Sequence, residues 1–281
     1  MKLSTLRLHF PQPTGSLYIV SDSHLDQQSA PAAEFVNMLD ALPDAQVVLC
    51  LGDLFKVWLA HPRFWSRLNR EVMHGFWRLK ECGATNVFVV GNREVLVPHD
   101  HRPERQELPF EHIAHDELEV KWGEWKLGFL HGDTVNSRDR QYLRWRWICR
   151  SSLFRGFFRA LPGPLAMKIA HRVEDSLNAT NQEFKISFPE AEVRLFAARV
   201  LREFDAYFLG HFHRDDLIQV DGLDGFLRVV PDWLGSRRVL RLSPQGKLET
   251  LVFHNEKLES ADSEAMVSPE SLSVGSASPT N

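Results

Sequence analysis

The stretch VFVVGNREVLVP, from Val87 to Pro98, begins as a short apolar run rich in β-branched residues and turns polar at Gly91. Such a run is typical of a buried β-strand. A tight turn accounts for Gly91 and Asn92, because both residue types tolerate a positive φ. The turn gives no reason for Arg93, so the end of this strand is expected to have a function of its own.

Other apolar runs along the chain have the same strand-like character. Segments with helical spacing separate several of them, at residues 32–42, 67–82 and 191–204. Alternating strands and helices predict an α/β fold, and the later strands, which lack long helices between them, predict a second, more antiparallel half. The other runs are LYIVS (17–21), VVLCLG (47–52), KLGFLHG (126–132), AYFLGH (206–211), FLRVV (226–230) and RVLRLS (238–243).

Length and composition indicate one large domain, because 281 residues, 43% of them hydrophobic, can bury a substantial core. The three cysteines are far apart and form no CxxC pair, so neither a disulfide framework nor a zinc knuckle is indicated. No signal peptide and no stretch of roughly 18 apolar residues is found, so we expect a cytoplasmic protein. The domain is expected over residues 1–254, followed by a disordered tail, 255–281, rich in Ser, Glu, Ala and Pro.

Charge is unevenly distributed along a chain whose net charge is −4. Between Arg138 and Arg172 there are nine Lys or Arg residues and one acid, so this basic block carries +8 and the rest of the chain −12. The block predicts a surface for phosphate, nucleic acid or anionic lipid, the alternative being a solvated Arg-rich helix. Six aromatic residues interleaved with the charges count against that alternative.

Five of the strands end in polar residues of similar chemistry. Ligands bind beyond the carboxyl ends of strands in α/β sheets, so these residues are expected to share one crevice. Singly, each Asp could be a helix cap and each His a structural residue. Together they form a ligand set that Mn²⁺, Fe²⁺ or Zn²⁺ accepts, and seven groups exceed the needs of one tetrahedral ion. The seven are Asp22, His24, Asp53, Asn92, His131, His211 and His213.

The order of these motifs, D-x-H, G-D, G-N, H and G-H-x-H, resembles the calcineurin-like metallophosphoesterase family over roughly residues 17–243. The resemblance implies a four-layer α/β/β/α sandwich and two divalent metal ions, with Mn²⁺ favoured over Fe²⁺ or Zn²⁺. It implies that Asp53 bridges the two ions, which together activate a water and neutralise a bound phosphate. The ligands implied for one ion are Asp22, His24, Asp53 and His213, and for the other Asp53, Asn92, His131 and His211.

Arg93 stands where many members of that family have the His of G-N-H-[DE]. Such a His can protonate an alkoxide leaving group, whereas a guanidinium with a pKa above about 12 cannot donate its proton. Arg93 is therefore expected to bind charge, which suits a leaving group that is itself a phosphate. Pyrophosphate cleavage is the reaction favoured, with Asn92, Arg93 and His131 as the catalytic residues.

The chain also resembles a narrower branch, the UDP-2,3-diacylglucosamine diphosphatases of bacterial lipid A synthesis. The segments HGDTVNSRDRQYLRWRW and LPGPLAMKIAHR resemble its helical insertion, and VVPDWLGSRRVLRL resembles its late strand. In that branch the insertion, here about 136–185, forms a lid that holds acyl chains and faces the inner membrane. The implied reaction releases UMP and 2,3-diacylglucosamine 1-phosphate. The implied substrate-binding residues are Arg93, Ser176, Asn178, Asn181, Lys185 and His211.

The composition of the insertion agrees with a peripheral position on the cytoplasmic face of the inner membrane. Its Arg side chains can reach anionic headgroups, while its Trp and Phe side chains enter an interface or acyl region. Its apolar cluster suits acyl chains better than stacked bases, so no nucleic acid is expected as a partner. The cluster consists of Leu153, Phe154, Phe157, Phe158, Leu161 and Leu165.

Two departures from the branch leave other functions open. The segment LFKVWLAHPRFW is neutral to basic where the branch commonly has acidic residues, and the polar residues of EDSLNATNQEFKIS do not align readily with the branch's substrate clamp. The alternative is a soluble metal-dependent phosphodiesterase or phosphomonoesterase acting on a nucleotide or nucleic acid. A metal-free scaffold that binds proteins is the third hypothesis.

Overall fold

The computed structural model describes residues 4–26, 31–98, 103–136, 140–180 and 188–265. The helices are α1 (Pro31–Asp40), α2 (Arg67–Glu81), α3 (Arg140–Arg150), α4 (Ser152–Ala160), α5 (Gly163–Thr180), α6 (Glu190–Val200) and α7 (Trp233–Ser236). The strands are β1 (Thr5–Phe10), β2 (Ser16–Val20), β3 (Ala45–Cys50), β4 (Trp58–Leu59), β5 (Thr85–Val89), β6 (Glu94–Val95), β7 (His112–Ala114), β8 (Glu117–Trp122), β9 (Trp125–Leu130), β10 (Ala206–Leu209), β11 (Asp216–Gln219), β12 (Phe226–Val229), β13 (Arg238–Leu242), β14 (Lys247–His254) and β15 (Lys257–Ala265).

The first sheet has the strand order β15-β14-β13-β2-β3-β5-β7, with β2, β3, β5 and β7 parallel. Successive residues of a strand point to opposite faces, and both faces of this sheet are covered. In β3, Val47 and Leu49 pack towards the second sheet, whereas Val48 and Cys50 pack with residues of α1 and α2. Burial on both faces explains why this strand is apolar at successive positions.

The second sheet has the order β1-β8-β9-β10-β12-β11, with β9, β10 and β12 parallel. Its inner face shares a core with the first sheet. Its outer face is covered by α6, whose Val193 and Ala197 pack with Tyr207 and Leu209. The layers are therefore helices, sheet, sheet and helix, which confirms the predicted four-layer fold.

The strands near the C-terminus differ from the sequence-based expectation. β13 pairs antiparallel with β2 and so extends the first sheet, rather than forming a separate antiparallel half. The prediction that a disordered tail begins at residue 255 is wrong for residues 257–265, which form β15 along the edge of β14. An edge strand needs only a few apolar contacts, here Leu258, so its polar sequence resembles a tail. Residues 266–281 lie outside the described part of the chain.

Helices α3, α4 and α5, called here the helical segment, connect β9 to the chain before α6. The predicted apolar cluster divides between two surfaces of this segment. Phe158 is buried with Leu59 and Leu96, and Phe154 and Leu161 pack beside it. The remaining three residues of the cluster are exposed, and no helix among the described residues has the length and hydropathy needed to cross a bilayer. The exposed residues are Leu153, Phe157 and Leu165.

Candidate metal centre

The carboxyl ends of five strands, three from the first sheet and two from the second, meet at one edge of the sandwich. All seven predicted metal ligands follow these ends, and the structure brings them together. Asp22 and His24 follow β2, Asp53 follows β3, Asn92 follows β5, His131 follows β9, and His211 and His213 follow β10.

Asp22, His24 and His213 form the first candidate cation site. Nε2 of His24 lies 3.2 Å from Nε2 of His213, and these nitrogens lie 3.8 and 3.6 Å from Oδ1 of Asp22. That oxygen is buried and accepts no hydrogen bond from a described residue. The other oxygen, Oδ2, accepts hydrogen bonds from the Ser21 hydroxyl and from the backbone N–H of His211. One oxygen of Asp22 is thus held by the protein, and the other faces the two imidazoles.

Asp53, His131 and His211 form the second candidate site, with Asn92 between the two imidazoles. Oδ1 of Asn92 lies 3.0 Å from Nε2 of His131 and 3.0 Å from Nδ1 of His211. Oδ1 of Asp53 lies 3.4 Å from Nε2 of His131. Nδ1 of His131 donates to the carbonyl oxygen of Leu51 at 2.9 Å, which leaves Nε2 facing the centre.

Asp53 faces both groups of residues. Its Oδ2 lies 3.8 Å from Nε2 of His24 in the first group, and its Oδ1 faces His131 in the second. This is the position that the family resemblance implies for a bridging carboxylate. Atoms that each lie about 2.1 Å from one ion are separated from one another by roughly 3.0–3.4 Å, close to the separations found in both groups. The mixed nitrogen and oxygen donors therefore fit divalent cations such as Mn²⁺, Fe²⁺ or Zn²⁺.

The backbone at this edge is strained in a regular way. Five of the seven candidate ligands have a φ in the left-handed region, which costs an ordinary residue about 1–2 kcal/mol. Asp and His tolerate this region better than most residue types, and such conformations persist at functional sites where the surrounding structure fixes them. The five are Asp22 (φ 50°), His24 (41°), Asp53 (53°), His211 (71°) and His213 (51°).

Two glycines are required here by close approach. A Cβ atom on Gly91 would lie 2.4 Å from Oδ1 of Asp53, and one on Gly210 would lie 2.2 Å from Oγ of Ser21. Neither Gly91 nor Asn92 has a positive φ, so the turn-based explanation of these two residues is wrong. Gly91 therefore leaves room for the Asp53 carboxylate, which the family resemblance implies as the bridge between the two ions.

Glu94 organises the loops that carry Asp53 and Asn92. Its buried carboxylate accepts hydrogen bonds from the backbone N–H groups of Asp53 at 3.1 Å, Leu54 at 3.1 Å and Gly91 at 2.7 Å. The ends of β3 and β5 are thus tied together by one side chain. Sequence reasoning missed this role, although Glu94 lies in the quoted GNRE motif.

Arg93 lies beside the same carboxylate. Its backbone N–H donates to Oδ1 of Asp53 at 2.9 Å, and its Nε lies 3.7 Å from Oδ2 of Asp53. The side chain is 16% exposed, so the guanidinium lies at the rim of the centre.

Charged neighbours of both signs shift the pKa values of the central residues. Burial favours the neutral carboxyl of Asp53, but the charges of His131, His24 and Arg93 outweigh it and lower its pKa to about 2. Burial lowers the pKa of His131, but the carboxylates of Asp53 and Asp22 raise it to about 9. Burial and the charge of His131 lower the pKa of His211 to about 4. The carboxylates of Asp53 and Asp22 thus stabilise positive charge at this edge, whether that charge is a proton on His131 or a bound cation.

The six predicted substrate-binding residues fall in different parts of the chain. Arg93 and His211 are at the centre. Ser176 and Asn178 belong to α5, whereas Asn181 and Lys185 lie outside the described residues. The role of these four residues in substrate binding stays a prediction.

A two-sheet sandwich with such a centre at the strand ends defines a metal-dependent hydrolase of phosphate esters or anhydrides. Residues 15–215 match the sequence profile described as calcineurin-like phosphoesterase, and the chain belongs to that family.

Two of the protein's sequence relatives are enzymes of the same name. The chain is 29% identical over 244 residues to UDP-2,3-diacylglucosamine hydrolase of Photobacterium profundum, covering 83% of this chain and 96% of the relative. It is 29% identical over 223 residues to the protein of the same name from Neisseria gonorrhoeae, covering 77% and 89%. Among solved structures, vacuolar protein sorting 29 from Cryptosporidium parvum aligns with 89% of this chain and 98% of its own at 14% identity, with a TM-score of 0.43.

Proposed function

We propose that the protein hydrolyses the diphosphate of UDP-2,3-diacylglucosamine, giving UMP and 2,3-diacylglucosamine 1-phosphate for lipid A biosynthesis. The observation that carries the proposal is the place of Arg93, next to Asn92 and within 3.7 Å of Asp53. The names of the relatives point to the same substrate.

In this proposal the seven residues hold two divalent ions, most favourably Mn²⁺, with Asp53 shared between them. When bound, such ions supply a nucleophilic water of lowered pKa and stabilise charge on the phosphate oxygens. Glu94 and the hydrogen bonds to Asp22 hold the carboxylates in place before substrate arrives.

The protein's own residues then account for the choice of leaving group. Attack at the α-phosphorus expels a sugar phosphate, which leaves as a stable anion without being protonated. Arg93 can stabilise the charge that develops on this group, and it cannot act as a general acid. Oδ1 of Asn92 lies 3.0 Å from both His131 and His211, and these three residues line the place where the scissile phosphate would bind.

We propose that the helical segment is the lid over the acyl chains and the contact with the inner membrane. Helix α4 is apolar on two sides, since Phe158 packs inwards while Leu153 and Phe157 are 86% and 56% exposed. Trp147, on α3, is 65% exposed. Exposed aromatic and aliphatic side chains in a basic segment are typical of surfaces that enter a membrane interface. A position on the cytoplasmic face of the inner membrane follows from this proposal.

A direct assay tests the proposed reaction. The purified protein with Mn²⁺ is given UDP-2,3-diacylglucosamine, bis-p-nitrophenyl phosphate and p-nitrophenyl phosphate, and UMP release is compared with nitrophenol release. The proposal expects the lipid to be the best substrate by kcat/KM. In water enriched in ¹⁸O, the label should appear in UMP, because the α-phosphorus is attacked.

Other outcomes identify the alternatives. Faster cleavage of a simple diester or monoester, with no UMP released, would show a phosphodiesterase or phosphomonoesterase acting on a nucleotide or nucleic acid. Purified protein without stoichiometric metal and without activity on any ester would show the metal-free scaffold.

A further inference from the structure

Arg146, on α3, is the exception within the basic block. Among the basic residues of this block whose side chains the structure describes, it is the buried one, with 5% exposure, whereas Arg144 on the same helix is exposed. A guanidinium is removed from water only at a high cost in free energy, so its burial calls for partners of opposite charge.

Two buried carboxylates supply these partners. Nε of Arg146 donates to Oδ2 of Asp133 at 2.8 Å, and Nη2 donates to Oδ1 of Asp116 at 3.1 Å. The other oxygen of Asp116 accepts from the backbone N–H and hydroxyl of Ser4, next to β1. A planar guanidinium held by two carboxylates restricts both the position and the rotation of α3 relative to the loops that follow β9 and precede β8.

The position of Asp133 gives this contact a functional meaning. Asp133 comes two residues after His131, at the end of β9, so Arg146 fastens α3 to the loop that carries a member of the metal centre. In α4, the middle helix of the segment, the Arg155 guanidinium donates to the carbonyl oxygen of Val97, four residues after Arg93, at 2.8 Å. The segment is thus attached both to the loop after β9 and to the loop after β6.

We propose that Arg146 and Asp133 form a positioning contact that sets the lid at a fixed place over the metal centre, so that a substrate held by the lid presents its diphosphate to the ions. The inference rests on the proposed function. It concerns only substrates that the lid holds, because a small ester reaches the centre without the lid.

The test compares two substitutions that both keep the positive charge. Arg146→Lys loses the fork geometry, whereas Arg144→Lys, on the same helix, is the matched control. A misplacement of about 1 Å costs roughly 100-fold in rate, so Arg146→Lys should lower kcat on UDP-2,3-diacylglucosamine by about that factor. KM, metal content and turnover of bis-p-nitrophenyl phosphate should stay within about threefold of wild type, and Arg144→Lys should leave both substrates unaffected.

Two outcomes would overturn the proposal. Equal proportional losses on both substrates would show that Arg146 only stabilises the fold, and an unchanged kcat would show that the contact does not position the lid. If Arg146→Lys does not accumulate as folded protein, Asp133→Asn is used instead. Its amide oxygen still accepts from Arg146 but lacks the charge, and the same split between the two substrates is expected.

Amide hydrogen exchange keeps this inference separate from the proposed function. Exchange in α3 should be faster in Arg146→Lys than in Arg144→Lys, while exchange in β2 and β3 stays equal. If the wild-type protein does not cleave the lipid, the proposed function fails, and exchange alone decides whether Arg146 anchors α3. Equal exchange in α3 of the two variants would then overturn the anchoring role.

Discussion

Arg93 contributes to the metal centre in two separable ways. Its backbone N–H holds Oδ1 of Asp53 at 2.9 Å, a contact that survives any change of the side chain except one to proline. Its guanidinium, in contrast, lies at the rim, where the proposed substrate would meet it. Side-chain substitutions at this position therefore test charge without dismantling the centre.

Arg93→Ala should lower kcat on UDP-2,3-diacylglucosamine by roughly 10²–10³, the usual effect of removing one preorganised contact to developing charge. Arg93→Lys should lie between Ala and wild type, because it keeps the charge but loses bidentate geometry. Steady-state kinetics and metal analysis by mass spectrometry measure both effects. Loss of bound metal from the Ala variant would mean that the side chain builds the centre instead of binding substrate.

Arg93→His is the sharper test of the leaving-group argument. An imidazole can donate a proton, so the variant should lose activity on the diphosphate substrate and lose less, or gain, on a diester with an alkoxide leaving group. The ratio of kcat/KM for the two substrates is the quantity to measure. If that ratio stays at its wild-type value, Arg93 does not select for a phosphate leaving group.

The candidate ligands could be picked out from the sequence because each of them follows an apolar strand, and the structure brings them together; that they bind metal stays a prediction. Glu94 and Asp133 were missed for a different reason. Their roles depend on partners that are distant in sequence, since Glu94 binds the backbone of Asp53 and Asp133 binds Arg146. No local pattern records such a pairing. The turn explanation of Gly91 failed likewise, because its constraint comes from the Asp53 side chain.

At the scale of elements, α4 shows why composition alone could not divide the apolar cluster. Phe154 and Phe158 are four residues apart, and their tilted rings lie 4.6 Å apart between centroids on the inner side. Leu153 and Phe157, each one position earlier in the chain, are exposed. Helical spacing predicts two stripes here, but it does not tell which stripe the core covers. The structure shows that the core covers the stripe with Phe154 and Phe158.

Replacing Leu153 and Phe157 by Asp should weaken liposome association and raise KM for the lipid substrate, because these side chains are exposed apolar surface in a basic segment. Turnover of bis-p-nitrophenyl phosphate should stay within about threefold of wild type. Co-sedimentation with vesicles that contain anionic lipid, together with kinetics, measures both effects.

The matched control is Leu195→Asp, which alters a residue of α6 that is 74% exposed and lies outside the helical segment. It should leave vesicle binding unchanged. If it reduces binding as much as the double variant does, the helical segment is not the membrane contact.

At the scale of the whole molecule, the first sheet ends in a strand that the sequence presented as tail. β15 pairs with β14 along its length, and Leu258 packs against the core of the first sheet. Cutting the chain after His254 should therefore destabilise it by about 2 kcal/mol, a typical loss of a small packed element. A chain of this size loses about 2–4 °C of Tm per kcal/mol, so Tm should fall by about 4–8 °C.

Cutting after Ala265 is the control, because it removes only residues for which the sequence predicts no packed structure. Tm should then stay at the wild-type value. Calorimetry on the full chain and on the two shortened chains decides whether residues 257–265 stabilise the fold as β15 or behave as a tail. Equal Tm values for the three would mean that β15 adds nothing to the fold.

Metal removal tests the centre through the stability of the molecule, independently of any substrate. Bound cations would add favourable interactions with the buried carboxylates of Asp22 and Asp53 at the strand ends. A ligand at 100 times its Kd stabilises the folded state by about 2.7 kcal/mol, so chelation with EDTA should lower Tm by about 5–10 °C, and excess Mn²⁺ should restore it. EDTA preloaded with Ca²⁺ controls for other effects of the chelator.

Asp53→Asn removes the proposed bridging charge, so its Tm should respond little to either EDTA or Mn²⁺, and it should be inactive. A full response to Mn²⁺ in that variant would exclude Asp53 as the bridge, and an unchanged wild-type Tm after complete metal removal would show that cation binding does not stabilise the strand ends.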